Sequence, residues 1–186
     1  MKYVAFFRGI NVGGKNTVKM AELKKLFSDL GLQKVQTYIQ SGNVVFDAEE
    51  DAACAAQKIQ EGFSAAFGFE CAVVLRTVRE MAGIIEALPF SEREIEEASS
   101  SNPAVEHLYV YLMDGSDVGE QFDGLVRAYA GRDQVRLGAN AIYLLCHESI
   151  RDSKLAASLG KLKVSLTARN WKTISKIYEV MTLGDS

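Results

Sequence analysis

The segment Gly9-Ile10-Asn11-Val12-Gly13-Gly14-Lys15-Asn16 is where the chain comes nearest to a chemical motif. It satisfies G-x-x-x-x-G-K, the pattern whose backbone amides cradle phosphates and whose lysine reaches the outer ones. It then departs from that pattern, because Asn16 stands where the Ser or Thr that ligates magnesium belongs and Thr17 comes one place late. Nucleotide hydrolysis is therefore not expected. Anion binding demands less: Gly9, Asn11, Gly13 and Gly14 between a strand and a helix can turn several N–H groups outward, with Arg8 and Lys15 adding charge. A loop that needs glycine for its backbone path alone would look the same. One comparison favours function: about eleven residues join strand to helix here, against about five at the corresponding place in the second half of the chain, more than connection requires.

The other reactive residue types do not assemble into a pattern. Cys54, Cys71 and Cys146 are single, with no C-x-x-C spacing, and only His107 and His147 supply imidazoles. Structural zinc and a disulfide framework are not expected, and neither is a cofactor. His107 and His147 flank a strand without an evident nucleophile or carboxylate partner. The run of carboxylates from Glu92 to Glu97 reads as solvated surface. Near the end of the chain Arg169, Lys172 and Lys176 share one stripe of an expected helix and Trp171, Ile174, Tyr178 and Met181 another. Trp171 reads as a core anchor or a stacking platform, and the basic stripe as solvated surface or a contact to phosphates.

These residues need elements to hold them. Tyr3 to Arg8 reads as a buried strand, and Met20 to Leu30 as an amphipathic helix stopped at Gly31. Val35 to Gln40 and Asn43 to Asp47 read as a hairpin about a two-residue Ser41-Gly42 turn, which sets Gln40 opposite Asn43 and Ile39 opposite Val44. One face of that ribbon, including Ile39, Val44 and Phe46, is expected in the core with Val4, Phe6, Leu23, Leu26, Ile59 and Phe63. The other, with Gln36, Tyr38, Gln40 and Asn43, meets solvent, a second layer or a ligand. Asp51 to Phe67 reads as a helix and Cys71 to Leu75 as a fourth strand.

The pattern recurs about 100 residues later: a strand at Leu108–Met113, a helix from Gly119, a hairpin at 134–146. A short helix near Glu80 to Leu88 and a Ser-rich connector at Ser99 to Pro103 separate the halves. The second half is expected to end in a short helix near Lys154 to Leu159, an edge strand at Lys161 to Val164 and a helix from about Ala168. The chain thus reads as α+β: a ferredoxin-like β-α-β-β-α-β unit over 1–78, then a similar but modified α+β unit over 79–186 with an extra C-terminal helix, either separate or intertwined as one compact domain.

The runs Phe7-Arg8-Gly9-Ile10-Asn11-Val12-Gly13-Gly14, Thr37-Tyr38-Ile39-Gln40-Ser41-Gly42-Asn43-Val44 and Thr167-Ala168-Arg169-Asn170-Trp171-Lys172-Thr173, with Met20-Ala21-Glu22-Leu23 and Asn102-Pro103, resemble the mostly bacterial domain of unknown function 1697 family. The resemblance implies a shared fold and a cytoplasmic setting, and carries no reaction.

At 186 residues and 48% apolar content the chain can fill its own core. Five apolar residues, Tyr3 to Phe7, precede Arg8, too few for a secretion signal or a membrane span, so a cytoplasmic location is expected without a membrane partner. The net charge is -3, yet residues 1–34 hold seven Lys or Arg against two acids and residues 151–176 seven against one. The middle of the chain is acidic. The leading reading is binding of a phosphate-bearing small molecule or nucleic acid by Arg8, Gly9, Asn11, Gly13, Gly14 and Lys15, with Tyr38, Ser41 and Asn43 of the hairpin and Arg169, Asn170 and Lys172 near the C-terminus. Two rivals stand beside it: an interaction or self-association module using the hairpin's exposed face, and an enzyme of unrecognised chemistry. Oligomeric state is open.

Overall fold

Leu23 and Phe27, one helical turn apart, put one side of residues 20–29 against a sheet. In the computed structural model, which describes residues 1–183, they are the buried residues of α1 (Met20–Asp29). The helix closes as the sequence suggests. Gly31 adopts φ 79°, the Leu32 amide donates to Phe27 O at 3.0 Å and the Gly31 amide to Ser28 O at 3.0 Å, a Schellman closure that a residue with a Cβ resists.

The chain forms two units, Met1–Gly83 with the chain from Ser175 onward, and Ile84–Ile174. The first holds β1 (Lys2–Phe7), α1, β2 (Gln33–Tyr38), β3 (Asn43–Asp47), α2 (Ala52–Phe67) and β4 (Val73–Thr77). Its sheet runs β2-β3-β1-β4 with every pair antiparallel, the ferredoxin-like arrangement. Phe7 is the centre of its core, with ring centroids 5.2 Å from Phe63 and 6.0 Å from Phe27. The opposite sheet face, Val4, Phe6, Val45 and Val74, is buried as well. On the hairpin face expected to meet solvent, a second layer or a ligand, Asn43 and Val45 are buried while Gln36 and Gln40 are exposed.

The hairpin differs from expectation in its turn. Tyr38 pairs with Asn43 and Thr37 with Val44, so the connection is the four residues 39–42 and the register shifts by two. A shift of two keeps each side chain on its expected face. The loss falls on Ile39, which leaves the strand at φ 49° and is 50% exposed rather than in the core.

The second unit repeats the plan: β5 (Leu108–Met113), α5 (Gly119–Ala128), β6 (Gln134–Leu137), β7 (Ala141–Leu145), α6 (Lys154–Leu159) and β8 (Leu166–Asn170), with sheet order β6-β7-β5-β8. Residues 161–164 are not the expected edge strand; the fourth strand starts at Leu166 and pairs with β5 over Tyr109–Met113. This unit has the full ferredoxin-like set. In each unit the last strand runs directly into a helix, β4 into α3 (Val78–Glu86) and β8 into α7 (Trp171–Leu183). The chain changes unit inside each of those helices.

The carboxylate run forms α4 (Glu92–Ser101), which buries only Ala98 and so lacks an apolar stripe to announce it. Its signal was the capping box: Ser91 and Glu94 exchange hydrogen bonds between side chain and backbone. Glu94 also pairs with Arg136 at 2.5 Å, and Arg136 lies 4.4 Å from the Phe90 ring centroid. That guanidinium, with the Ser91 amide, holds the Glu94 carboxyl at about 2. A folded-state pKa below the unfolded one stabilises above the unfolded value, and the gain is lost as pH falls. Stability should thus decline between about pH 4.5 and pH 2 through this group. Glu94→Gln is expected to flatten that limb of an acid-unfolding curve followed by circular dichroism; an unchanged limb would assign the decline to other carboxyls.

Candidate functional site

The glycine-rich connection between β1 and α1 folds as a small hairpin of its own. Val12 and Lys15 form a bridge, the Lys15 amide donating to Val12 O at 3.1 Å. Gly13 and Gly14 turn the corner at φ 58° and 73°, the paired positive values a primed two-residue turn requires. Beneath the turn, Asn11 does the work of a strand. Its Oδ1 accepts the Val18 amide at 2.7 Å, and its Nδ2 donates to Val18 O at 2.9 Å and Gln40 O at 2.8 Å. Asn11 itself sits at φ 56°, where Asn is among the few residues tolerated. Ile10 and Val18 are buried and seat the loop in the core of the first unit.

The second motif meets the first here. The Phe7 amide donates to Gly42 O at 2.9 Å, and Gly42, at φ 78°, lies where a Cβ would come 2.5 Å from Ile10 Cδ1 and 2.9 Å from Phe7 Cβ. The fully buried Asn43 donates to Tyr38 O at 3.0 Å and Ser41 Oγ at 2.9 Å. The loop that carries Arg8, Gly9, Asn11, Gly13, Gly14 and Lys15 is thus joined through Phe7, Ile10 and Asn11 to the turn between Tyr38 and Asn43 that holds Ser41. Asn11, Ser41 and Asn43 turn inward as braces. Arg8, Gly9 and residues 12–17 are exposed. Among the described residues neither the Arg8 nor the Lys15 side chain has an ion pair.

The remaining candidates lie at the junction of β8 and α7. Arg169 belongs to the strand, not to a helix stripe; it is buried, and its Nη1 donates to Ala168 O at 2.8 Å. Asn170 caps α7 by accepting the Thr173 amide at 2.8 Å. Lys172 is paired with Glu106 at 2.6 Å and Lys176 with Glu179 at 2.8 Å. The basic stripe is therefore divided between a strand and a helix, and each of its lysines sits in a solvent-exposed pair with a carboxylate.

Sequence reasoning missed Arg76. It holds the place in β4 that Arg169 holds in β8, one residue before the helix cap; it is buried, and its Nη1 donates to Leu75 O at 2.8 Å. Aligning the two halves on the strand-to-helix junctions Thr77-Val78 and Asn170-Trp171 would have found it. Gly42 was also missed as a packing residue, since the approach of Ile10 and Phe7 arises only on folding.

Reactive groups elsewhere are quiet. Burial pushes the Cys146 thiol up to about 12, and Asp51 beside the exposed Cys54 raises that thiol too, so both are thiols rather than thiolates at neutral pH. His107 has Nδ1 2.7 Å from Cys146 O and Nε2 2.7 Å from Asn102 O; it ties a loop to a strand end. Among the described residues no group of three His, Cys, Asp or Glu could hold a metal ion, and no helix is long and apolar enough to cross a membrane.

A family model described as protein of unknown function (DUF1697) matches residues 1–143. The chain belongs to that family. The matched span takes in the Phe7–Gly14 and Thr37–Val44 motifs whose interlocking is described above, and Asn102-Pro103; the closing motif at 167–173 lies beyond it. Among solved structures the chain is similar to the conserved bacterial protein SP0830 from Streptococcus pneumoniae, with a TM-score of 0.72 and 24% identity over 97% of this chain and 98% of that one. That likeness is one of fold. No curated protein matches.

Proposed function

We propose that the protein binds a phosphate-bearing ligand on the exposed face of the Arg8–Lys15 loop. The observation that carries this reading is the division of labour within the loop: Asn11 fixes its conformation from below, while Arg8, Lys15 and the Gly13-Gly14 tip face solvent. A preformed cationic loop loses little conformational freedom when an anion arrives, and glycines let an oxygen approach the backbone closely. Single-stranded nucleic acid belongs to the same chemistry. With Lys172 and Lys176 paired to carboxylates, Arg8 and Lys15 are the contacts counted, which predicts a shallow log-log salt slope of about -1.4.

Titration with phosphate, pyrophosphate, nucleotides and a short oligonucleotide, followed by amide NMR, tests the reading. Shifts at Gly9 to Lys15 that weaken in Arg8→Ala/Lys15→Ala are expected. Silence at those amides with every probe at millimolar concentration would sink it. A second reading rests on Val12 and Ile39, 64% and 50% exposed, each one residue from the Asn11–Gln40 hydrogen bond. Two exposed β-branched side chains on braced loops also suit a protein partner. Binding of that kind would persist in high salt, where phosphate binding fades.

A further inference from the structure

The two units share one fold, but their second helices differ. α2 has sixteen residues and α6 has six. In the first unit the longer helix closes directly onto α1: a Cβ on Gly62 would lie 3.1 Å from both methyls of Leu30 and 3.3 Å from Leu26. In the second unit the short helix leaves the flank of α5 uncovered, and a groove of about 630 Å³ opens there, within the range of small-molecule sites. Leu125, Tyr129 and Leu162 supply apolar walls, and Lys154, Ser158 and Lys161 the polar edge. Tyr129 is held in place, its hydroxyl accepting the Asp133 amide at 3.3 Å and standing where a Cβ on Gly131 would be. No carboxylate lines the groove. Among the described residues neither Lys154 nor Lys161 has an ion pair, although the protein as a whole is acidic.

We infer that this groove binds a small amphipathic acid, an aromatic or branched apolar body bearing one anionic head, with the body against Leu125, Tyr129 and Leu162 and the head between Lys154 and Lys161. The apolar body replaces the cover that a full-length α6 would give. The two lysines select an acid over the matching alcohol or amide, because an anion is offered two cations that have no protein partner. This site is separate from the glycine-rich loop and does not depend on it.

The probe is phenylbutyrate, with phenylbutanol as its neutral counterpart, followed by amide NMR on the full chain. Saturable shifts at Leu125, Tyr129, Ser158 and Leu162 are expected with the acid. Binding should be roughly tenfold weaker for the alcohol, and roughly tenfold weaker for the acid in Lys154→Ala/Lys161→Ala, whose exposed positions leave the fold intact. Ala128→Phe, which fills the groove without touching its charge, should abolish the shifts, with circular dichroism confirming that the variant folds. The inference is overturned by absence of saturable shifts at millimolar phenylbutyrate, or by equal affinity of acid and alcohol. It is equally overturned by a double-lysine variant that binds as the native chain does.

Discussion

Gly42→Ala is expected to destabilise the protein by about 2 to 5 kcal/mol, measured as a lowered urea midpoint. Two costs combine. The backbone sits at φ 78°, where an L side chain is strained, and the added methyl would enter the space of Ile10 Cδ1, Ile10 Cγ1 and Phe7 Cβ at 2.5 to 2.9 Å. The Ile10 atoms can be removed. In an Ile10→Ala background, itself costing about 2 to 4 kcal/mol, the same Gly42→Ala change should cost less by at least about 1 kcal/mol, the signature of a shared contact. Additive costs, agreeing to within about 0.5 kcal/mol, would mean that backbone strain and the approach of Phe7 Cβ explain the glycine and that the two motifs do not interlock through Ile10.

Asn11→Ala should cost about 2 to 3 kcal/mol, since one side chain makes three hydrogen bonds and holds a left-handed position that alanine resists. The effect has a local reporter. The Val18 amide donates to Asn11 Oδ1 at 2.7 Å, so its hydrogen exchange should accelerate in the variant by about tenfold or more relative to core strand amides. Asn11→Asp is the sharper test. The amide NH₂ faces two carbonyl oxygens, Val18 O and Gln40 O, and a carboxylate there has no proton to offer. Those acceptors favour the protonated acid, so its folded-state pKa lies above the unfolded one. Its deficit relative to the native chain is therefore largest at neutral pH, shrinks as pH falls through that raised pKa, and levels off below about 4, the unfolded value. Unchanged Val18 exchange in Asn11→Ala would show that the loop is held by its backbone alone. The phosphate reading would then lose its preformed site.

Much of this architecture is legible in local pattern. Leu23 and Phe27 at helical spacing, Gly31 as the stop, the strand at Tyr3 and the return of the same succession of elements after Leu108 are each set within a few residues, by periodicity and by backbone conformations that few side chains permit. The ferredoxin-like class follows from the order of elements. The chain's own letters also single out the loop from Arg8 to Lys15, through glycine content, charge and length. Where local pattern is weak, the reading misplaces elements: α4 has no apolar stripe, and β8 lies next to Lys163 in a stretch whose polar residues hide its start.

What tertiary structure decided is the fate of each polar group. Sequence spacing puts Arg169, Lys172 and Lys176 on one helix stripe, but Leu166–Asn170 pairs with β5, so Arg169 is committed to a strand, and Glu106, far along the chain, takes up Lys172. Nothing in the letters Ser41-Gly42 says that the turn must widen to four residues; the widening serves the fit of Gly42 against Ile10 and Phe7, more than thirty residues away. Likewise Asn11 reads as a ligand-binding residue in sequence and becomes a brace only when Gln40 O and Val18 arrive beside it. Residue type and periodicity determine which elements form, because those depend on neighbours along the chain. Which side chains remain free to meet a ligand depends on partners brought together by folding, and only the assembled units supply them.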